Sequence, residues 1–232
     1  MSKADYNIVI RPRRKTASII IRSNNTIDVL VPPHMPGKHI EQFVLSKSKW
    51  IDKKLHFNKQ VRLQHKAKEM ITGETFHFLG APYQLNITHE EQEPVLLNNN
   101  DLMVYIKSGL SYGKQTHLIR KKLTSWYREQ AEFQLHDRAN HFSTMIGAAP
   151  SHTGIKNYKS RWGSCHHDGR IYLNWRLIMA PEWVFDYVVI HELCHLIHHN
   201  HSPAFWQLVE SISPTHKEAK SWLKINGLGL EL

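Results

Sequence analysis

Short runs of alternating apolar and polar residues fill the N-terminal part of the chain. The runs are YNIVIRP, ASIIIRS and TIDVLVP; Asn24-Asn25 separates the last two, and Pro32-Pro33 ends the third. Alternation with a period of two is typical of half-buried β-strands, and the residues between these runs are typical of turns. From Gly37 to about Arg62 the apolar residues recur at helical spacing instead, which predicts a helix.

A second group of strands and a long helix follow. The runs ETFHFLGAPYQLNI, PVLLNN and DLMVYIK predict strands, and apolar residues at helical spacing predict a helix from residue 113 to about residue 145. We therefore expect an α+β fold with two lobes. Residues 1–110 form a β-rich N-terminal lobe with one helix, and residues 111–232 form the second lobe.

The second lobe also contains two extended runs and a buried helix. TGIKNYKSRWGSC and GRIYLNW flank residues 166–169, whose Asp-Gly pair suits a tight hairpin loop. Pro181 fits the first turn of a helix that continues to about His199. Residues 183–197 are apolar on nearly all sides, which is typical of a buried helix.

This helix carries the pattern His-Glu-x-x-His at His191, Glu192 and His195. Residues four apart lie one turn apart on the same helix face, so both imidazoles can bind one zinc ion. Glu192 lies one step round the helix, where its carboxylate can take a proton from a water that the zinc acidifies. The pattern predicts a zinc-dependent hydrolase with Zn2+ as its cofactor.

Burial distinguishes this pattern from a chance occurrence, because His-Glu-x-x-His also arises in unrelated proteins. Ionisable side chains in an apolar helix cost several kcal/mol unless a metal ion or a partner compensates for the lost water. The apolar sequence on both sides of the motif therefore favours a metal site.

A catalytic zinc ion needs a third protein ligand, and we predict His201. His198 lies on the same helix face, but the helix rise places it about 10.5 Å from His191, which is too far for one shared ion. Glu210 or Glu218, in the following helices, is the alternative ligand.

The sequence also predicts how His201 reaches the ion. Asn200 tolerates the left-handed conformation that ends helices. Ser202 and Pro203 suit the N-cap and the first residue of a new helix, PAFWQLVESI. We therefore expect His201 in a short turn between two helices, free to return to the metal.

The chain is basic, with Lys+Arg 30 against Asp+Glu 20, a net charge of +10 and a pI near 9.6. A solvated surface is the ordinary explanation, and nucleic acid is a possible partner through RPRRK, SKSKWIDKK and RKKLTSWYR.

Cys165 and Cys194 are too few for a disulfide framework. The N-terminus lacks the order of a secretory signal and no apolar run is long enough to span a membrane, so we expect a cytoplasmic protein.

Several motifs together resemble the YgjP-like metallopeptidase family, which is related to the SprT-like and WLM proteases and to the minigluzincins. They are SRWGSC, LNWRLIMAP and HELCHLIHHNHSPAFW, and the N-terminal RPRRKTASIIIR and FLGAPYQL also resemble the family. The resemblance implies a zincin-like, minigluzincin-type catalytic lobe that cleaves peptides or proteins. It implies His191, His195 and His201 as zinc ligands and Glu192 as the base.

The analogy with zincins also implies an edge strand that lies beside the active-site helix and pairs with an extended peptide. GRIYLNW is the candidate strand. Arg161 is the candidate donor to the oxygen that becomes negative during hydrolysis, with Tyr158 and Tyr172 as alternatives. Arg161 also has a structural alternative, as a salt-bridge partner.

Three functions remain open from the sequence. The first is a zinc peptidase, for which nickel or cobalt is an alternative metal. The second is a metal-dependent phosphoanhydride or nucleotide hydrolase, which suits the positive charge although the chain has no P-loop glycine pattern. The third is a nucleic-acid-associated protein, either an SprT-like protease or a non-catalytic binding protein, although the chain has no motif for base recognition.

Overall fold

The computed structural model describes residues 5–22, 24–64, 67–89 and 94–232. Contacts between Cα atoms divide the chain into two compact units, Met1–Lys66 and Ala67–Leu232. Each unit has its own hydrophobic core. The α+β fold that the sequence predicts is confirmed.

The first unit consists of a three-stranded sheet and two helices. The strands β1 (Asn7–Ile10), β2 (Ser18–Ile21) and β3 (Ile27–Val31) have the order β1-β3-β2, with β1 parallel and β2 antiparallel to β3. The helices are α1 (Gly37–Ser46) and α2 (Ser48–Gln64). Apolar residues of β3 and of both helices form the core: Ile27, Val29, Val31, Ile40, Val44 and Ile51.

The helical segment of this unit is interrupted at Lys47, whereas the sequence predicts one continuous helix over residues 37–62. Ser46 Oγ donates to the Phe43 carbonyl at 2.7 Å. The Lys47 N–H donates to the Val44 carbonyl at 3.0 Å instead. Because the serine hydroxyl uses the carbonyl that would accept from Lys47 in a regular helix, the hydrogen-bond ladder ends there.

The second unit begins with a four-stranded sheet and a long helix. The strands β4 (Thr75–Phe78), β5 (Ala81–Thr88), β6 (Leu96–Asn98) and β7 (Asp101–Tyr105) have the order β4-β5-β7-β6. β5 and β7 are parallel, and the other two pairings are antiparallel. The helix α3 (Tyr112–Ile146) packs its buried side chains into the same core as this sheet.

A three-stranded sheet follows α3, and its topology corrects one prediction. β8 (His152–Lys156), β9 (Gly163–Cys165) and β10 (Arg170–Asn174) have the order β8-β10-β9. GRIYLNW, predicted as the edge strand, contains β10, which is the central strand, so that prediction is wrong. The run TGIKNYKSRWGSC is not one strand but two, and these flank β10 on opposite sides. The edge strand next in sequence to β10 is therefore β9.

Three helices complete the second unit: α4 (Glu182–Cys194), α5 (Pro203–Ile212) and α6 (His216–Asn226). α4 is buried nearly all round, as its sequence predicts, and its apolar residues belong to the larger core. Among the described residues, no helix has the length and apolar character needed to cross a membrane.

The compact units differ from the predicted lobes, because residues 67–110 belong with the C-terminal unit. Phe76 and Leu85, from this sheet, share a core with Leu123 of α3. The buried Tyr127 of α3 donates its hydroxyl to the backbone carbonyl of a β4 residue at 2.9 Å. The sheet and α3 therefore share apolar contacts and a buried hydrogen bond that a division after residue 110 would separate.

We expect a fragment of residues 67–232 to fold alone, since it contains every residue of the larger core. A fragment of residues 111–232 lacks β4 to β7 and exposes apolar side chains of α3. The missing segment supplies seven buried core residues, from Met70 to Ile106. Burial of one large apolar side chain contributes about 1.5–3 kcal/mol, so loss of all seven is comparable to or larger than the usual stability of a domain, about 5–15 kcal/mol. Circular dichroism during heating distinguishes the fragments. Cooperative unfolding of the shorter fragment alone would contradict the division.

Candidate metal centre

The three predicted metal ligands, His191, His195 and His201, come together at the C-terminal end of α4. One ring nitrogen of each lies within 4.8 Å of the others. The Nε2 atoms of His191 and His201 are 3.1 Å apart. Two nitrogens bound to a tetrahedral zinc ion at about 2.0–2.1 Å lie about 3.3 Å from each other. The observed separation therefore fits nitrogens that share an ion.

The chain leaves α4 earlier than predicted, at Cys194 rather than near His199. The Leu196 N–H donates to the Leu193 carbonyl at 2.9 Å, a bond that spans three residues and tightens the end of the helix. This early end gives the chain enough length to turn back, so that His201 reaches the other two imidazoles.

Asn200 shapes the turn differently from the prediction. It is not among the described residues with positive φ, so the expected left-handed conformation is wrong. The helix has already ended several residues before it. Its side-chain Oδ1 instead accepts a hydrogen bond from the Ser202 N–H at 3.1 Å, a local bond that is typical of asparagine in turns.

The start of α5 orients the imidazoles from the other side. Ser202 is the N-cap, as predicted, and its Oγ accepts from the Phe205 N–H at 3.4 Å. Phe205 is buried and stacks on the His195 ring with centroids 4.5 Å apart. Trp206 stacks on the His201 ring with centroids 5.6 Å apart. These aromatic rings restrict the directions in which the imidazoles point.

The protonation state of the histidines suits metal binding. Burial, with the neighbouring histidines, lowers the pKa of His191 to about 3. Burial also lowers the pKa of His195. The His195 Nδ1–H donates to the His198 carbonyl at 2.9 Å, which leaves Nε2 with its lone pair. Both rings are therefore neutral near pH 7 and can each offer a nitrogen to a cation.

The alternative ligands are not near this group. Glu210 forms an ion pair with Lys217 at 3.1 Å, and Glu218 is exposed on α6. In the described part of the chain, the group of histidines, cysteines and acidic residues that could hold a metal contains neither glutamate. His198 takes part through its backbone carbonyl, a role that the sequence did not predict.

Glu192 lies beside the imidazoles and is buried against the edge strand β9. Its side chain is 6% exposed, and the Cys165 N–H donates to its carboxylate. Burial raises the pKa of Glu192 to about 7, although the positive charge of Arg161 opposes this rise. A carboxyl group with this pKa can accept or release a proton near neutral pH.

Gly163 permits the contact between β9 and Glu192. A Cβ atom at this position would lie 2.4 Å from Glu192 Oε1. The role of Gly163 was missed in the sequence, although a glycine inside a strand often marks a place where another group approaches closely.

Two cavities of about 370 Å³ each meet at this site and share Arg161, Gly163, His191 and Glu192. The first cavity is bounded on one side by α6. The second is bounded by the β9–β10 hairpin and the turn after α4. Further residues of the first are Trp162, Tyr187, Val188, Lys220, Leu223 and Lys224, and those of the second include Cys165, His166, His167, His195, His199 and His201.

Of the three candidate oxyanion donors, Arg161, Tyr158 and Tyr172, it is Arg161 that lines these cavities. The Tyr158 hydroxyl is hydrogen-bonded to Ser164 Oγ at 2.6 Å. The Tyr172 ring faces the Lys156 ammonium, with Nζ 3.5 Å from the ring centroid. Arg161 forms no ion pair within the described residues apart from its attraction to Glu192.

Three imidazoles cluster at the end of a buried helix and in the turn after it, and a carboxylate lies between them and an edge strand. This arrangement is the one expected of a metallopeptidase. Residues 15–226 match a family model described as YgjP-like, metallopeptidase domain. The chain belongs to the YgjP-like metallopeptidase family, as its sequence motifs indicated. Membership implies a metal ion and peptide or protein substrates.

One solved structure with partial similarity is the crystal structure of the metallopeptidase zymogen of Pyrococcus abyssi abylysin. The two are 26% identical, the match covers 40% of this chain and 92% of that chain, and the TM-score is 0.37. No curated protein matches this chain.

Replacement of Gly163 by alanine is expected to displace the Glu192 carboxylate while the three histidines stay in place, because the new Cβ would lie 2.4 Å from Oε1. Misplacement of a reacting group by about 1 Å can lower turnover about 100-fold. We expect such a loss on a quenched-fluorescent peptide library, with an unchanged metal content by elemental analysis. Gly113→Ala is the matched control, since no atom lies within 4 Å of its added Cβ. Normal turnover of Gly163→Ala would contradict this geometry.

Proposed function

We propose that this protein is a zinc-dependent peptidase whose ion is held by His191, His195 and His201. The observation that carries the proposal is the convergence of their ring nitrogens beside the buried Glu192. Neutral imidazoles at this spacing favour zinc among the common divalent ions. Zinc bound there supplies Lewis-acid polarisation of the scissile carbonyl and of the attacking water.

Glu192 acts as the proton carrier in this proposal. Its carboxylate takes a proton from the attacking water and later gives it to the departing amine nitrogen. The raised pKa of Glu192, about 7, supports both transfers, because neither protonation state is strongly preferred near neutral pH. The hydrogen bond from the Cys165 N–H holds the carboxylate toward β9.

Arg161 has the role of stabilising the negative charge that develops on the carbonyl oxygen. A fixed cation near that oxygen lowers the barrier, because it stabilises the transition state more than the bound peptide. The position of Arg161, lining both cavities where they meet, supports this assignment.

The outer edge of β9 is the proposed binding place for the peptide backbone. The Trp162 carbonyl accepts from Asn174, and the His166 N–H donates to the Arg170 carbonyl. In an antiparallel pair the residues alternate between bonding inward and outward, so Gly163 directs its backbone groups away from β10. An extended peptide can pair with the backbone groups of Gly163 as an additional strand, while the Cys165 N–H stays with Glu192.

Two substitutions test the metal ligands and the base separately. Glu192→Gln is expected to keep about one zinc per chain and to lose turnover by a factor of 100 or more, because the amide cannot carry the proton. His201→Ala is expected to lose zinc, since two imidazoles remain. Elemental analysis of each purified variant measures zinc, nickel and cobalt together.

His117→Ala serves as the control, because His117 is exposed on α3 and lines neither cavity. Unchanged turnover of Glu192→Gln, or equimolar zinc in His201→Ala, would contradict the mechanism. Release of phosphate from nucleoside triphosphates without cleavage of any peptide would instead assign the site to phosphoanhydride hydrolysis.

The distribution of charge favours a second function, nucleic-acid binding by the N-terminal unit. Residues 1–66 contain 14 of the 30 Lys and Arg but 4 of the 20 Asp and Glu, whereas residues 67–232 contain 16 of each. The whole excess of +10 therefore belongs to the smaller unit. On α2, exposed lysines accompany Trp50, whose side chain is 48% exposed and available for stacking on a base.

Replacement of Lys49, Lys53 and Lys59 together by glutamine is expected to weaken binding to single-stranded nucleic acid and to flatten its salt dependence. Each lost phosphate contact makes the plot of log affinity against log salt less steep, by about 0.7 in slope. The control replaces Lys107, Lys114 and Lys121, which are equally exposed in the other unit. Fluorescence anisotropy over a salt series measures both. Equal effects of the two triple variants would refute a specific role for α2.

A further inference from the structure

We propose that the first cavity binds a carboxylate group of the substrate directly beside the scissile bond, an inference that rests on the peptidase function proposed above. Three cations surround this cavity: Lys220 and Lys224 from α6, and Arg161 from the segment before β9. Glu192 is its single acidic residue in the described part of the chain. A substrate carboxylate would balance the excess of basic over acidic side chains in the cavity wall.

The two lysines have no carboxylate partner in the part of the chain that the structure describes. Lys220 and Lys224 are four residues apart on α6 and therefore lie on the same helix face. No ion pair of either lysine occurs among the described residues, and the Lys220 Nζ lies over the Trp206 ring, 5.1 Å from its centroid. Lys217 on the same helix, in contrast, forms an ion pair with Glu210. The lysines of α6 that line the cavity therefore remain available to bind a substrate carboxylate, whereas Lys217 does not.

The wall between these cations is apolar and closely packed. Trp162, Val188 and Leu223 supply it. A Cβ on Gly227 would lie 2.6 Å from Trp162 Cζ2, so Gly227 allows the indole to lie against the chain. An apolar wall accommodates the methylene groups of an acidic side chain, while its carboxylate meets the exposed lysines at the rim.

The position of the cavity places this preference next to the cleaved bond. The cavity shares Arg161, Gly163, His191 and Glu192 with the second cavity, so a group bound in it is a neighbour of the reacting carbonyl. Arg161 lines both cavities, but among the described residues the two lysines line the first cavity alone. We therefore expect the preference for a carboxylate on one side of the scissile bond only. A lysine or arginine on that side is repelled, which adds discrimination.

The carboxylate has two possible sources with the same chemistry: an aspartate or glutamate side chain, or the C-terminal carboxylate of a short peptide. Matched peptides separate them. One pair places Glu or Gln beside the cleaved bond within a longer peptide that ends in an amide. A second pair ends one residue after the bond, as the free acid or the amide.

The wild-type enzyme is expected to cleave the carboxylate member of at least one pair with a higher kcat/KM, and the preference is expected to fall as salt is added. Lys224→Gln lowers this preference up to about fivefold, the size typical of an exposed charge pair. Lys224→Glu lowers it further, because Lys220 and Arg161 remain but a negative charge is added, and Lys224→Arg retains it. Lys217→Gln, on the same helix, keeps the wild-type preference and is the matched control.

A binding measurement separates the subsite from the chemistry. The affinities of the same labelled peptides for Glu192→Gln and for the Glu192→Gln/Lys224→Gln pair are compared by fluorescence anisotropy. Tighter binding of the carboxylate peptide that is lost with Lys224 supports the subsite even if no peptide is ever cleaved. Cleavage of both members of each pair with equal kcat/KM and equal affinity overturns the subsite, while the proposed peptidase function stands.

Discussion

The burial of ionisable side chains at the end of α4 is the constraint on which this structure depends. An imidazole or a carboxylate placed among apolar residues loses its hydration, and the loss is tolerable when a metal, a hydrogen bond or a charge replaces the water. At His195 the replacement is the His198 carbonyl, and at Glu192 it is the Cys165 N–H together with the charge of Arg161. The same burial that keeps the histidines neutral raises the pKa of Glu192, so one packing arrangement sets the protonation of both kinds of group.

Each of several elements contributes one local feature to the metal centre. α4 supplies the helical spacing of His191 and His195, its early end allows His201 to return, and the first turn of α5 supplies Phe205 against the His195 ring. β9 supplies Gly163, a residue without a side chain, at the place where the carboxylate must fit. None of these features forms the site alone, and each depends on the larger core that fixes the elements against one another.

The sequence predicted those features that depend on neighbouring residues. The spacing of His191 and His195 and the cap at Ser202 are local. The turn that returns His201 was also expected, but the helix ends earlier than predicted and Asn200 is not left-handed. The edge strand was assigned wrongly because its identity depends on a parallel pairing between β8 and β10, and no local pattern specifies which strand lies in the centre. The break at Lys47 depends on one serine hydroxyl competing for a carbonyl, a contact that apolar periodicity does not reveal. The surroundings of Glu192 could not be predicted from the sequence either. Gly163 and Lys224 are distant from the motif in sequence and reach the site through the tertiary fold.

The shortness of β9 has a consequence for which proteins such an enzyme would cut. The strand spans three residues, Gly163–Cys165, and one of its sides is already occupied by β10. A polypeptide that joins the remaining side must offer backbone amides and carbonyls not engaged in its own helices or sheets. Compact native domains have few such stretches, whereas unravelled chains, tails and long surface loops have many. A peptidase built in this way distinguishes its targets by their state of folding before any side chain is recognised.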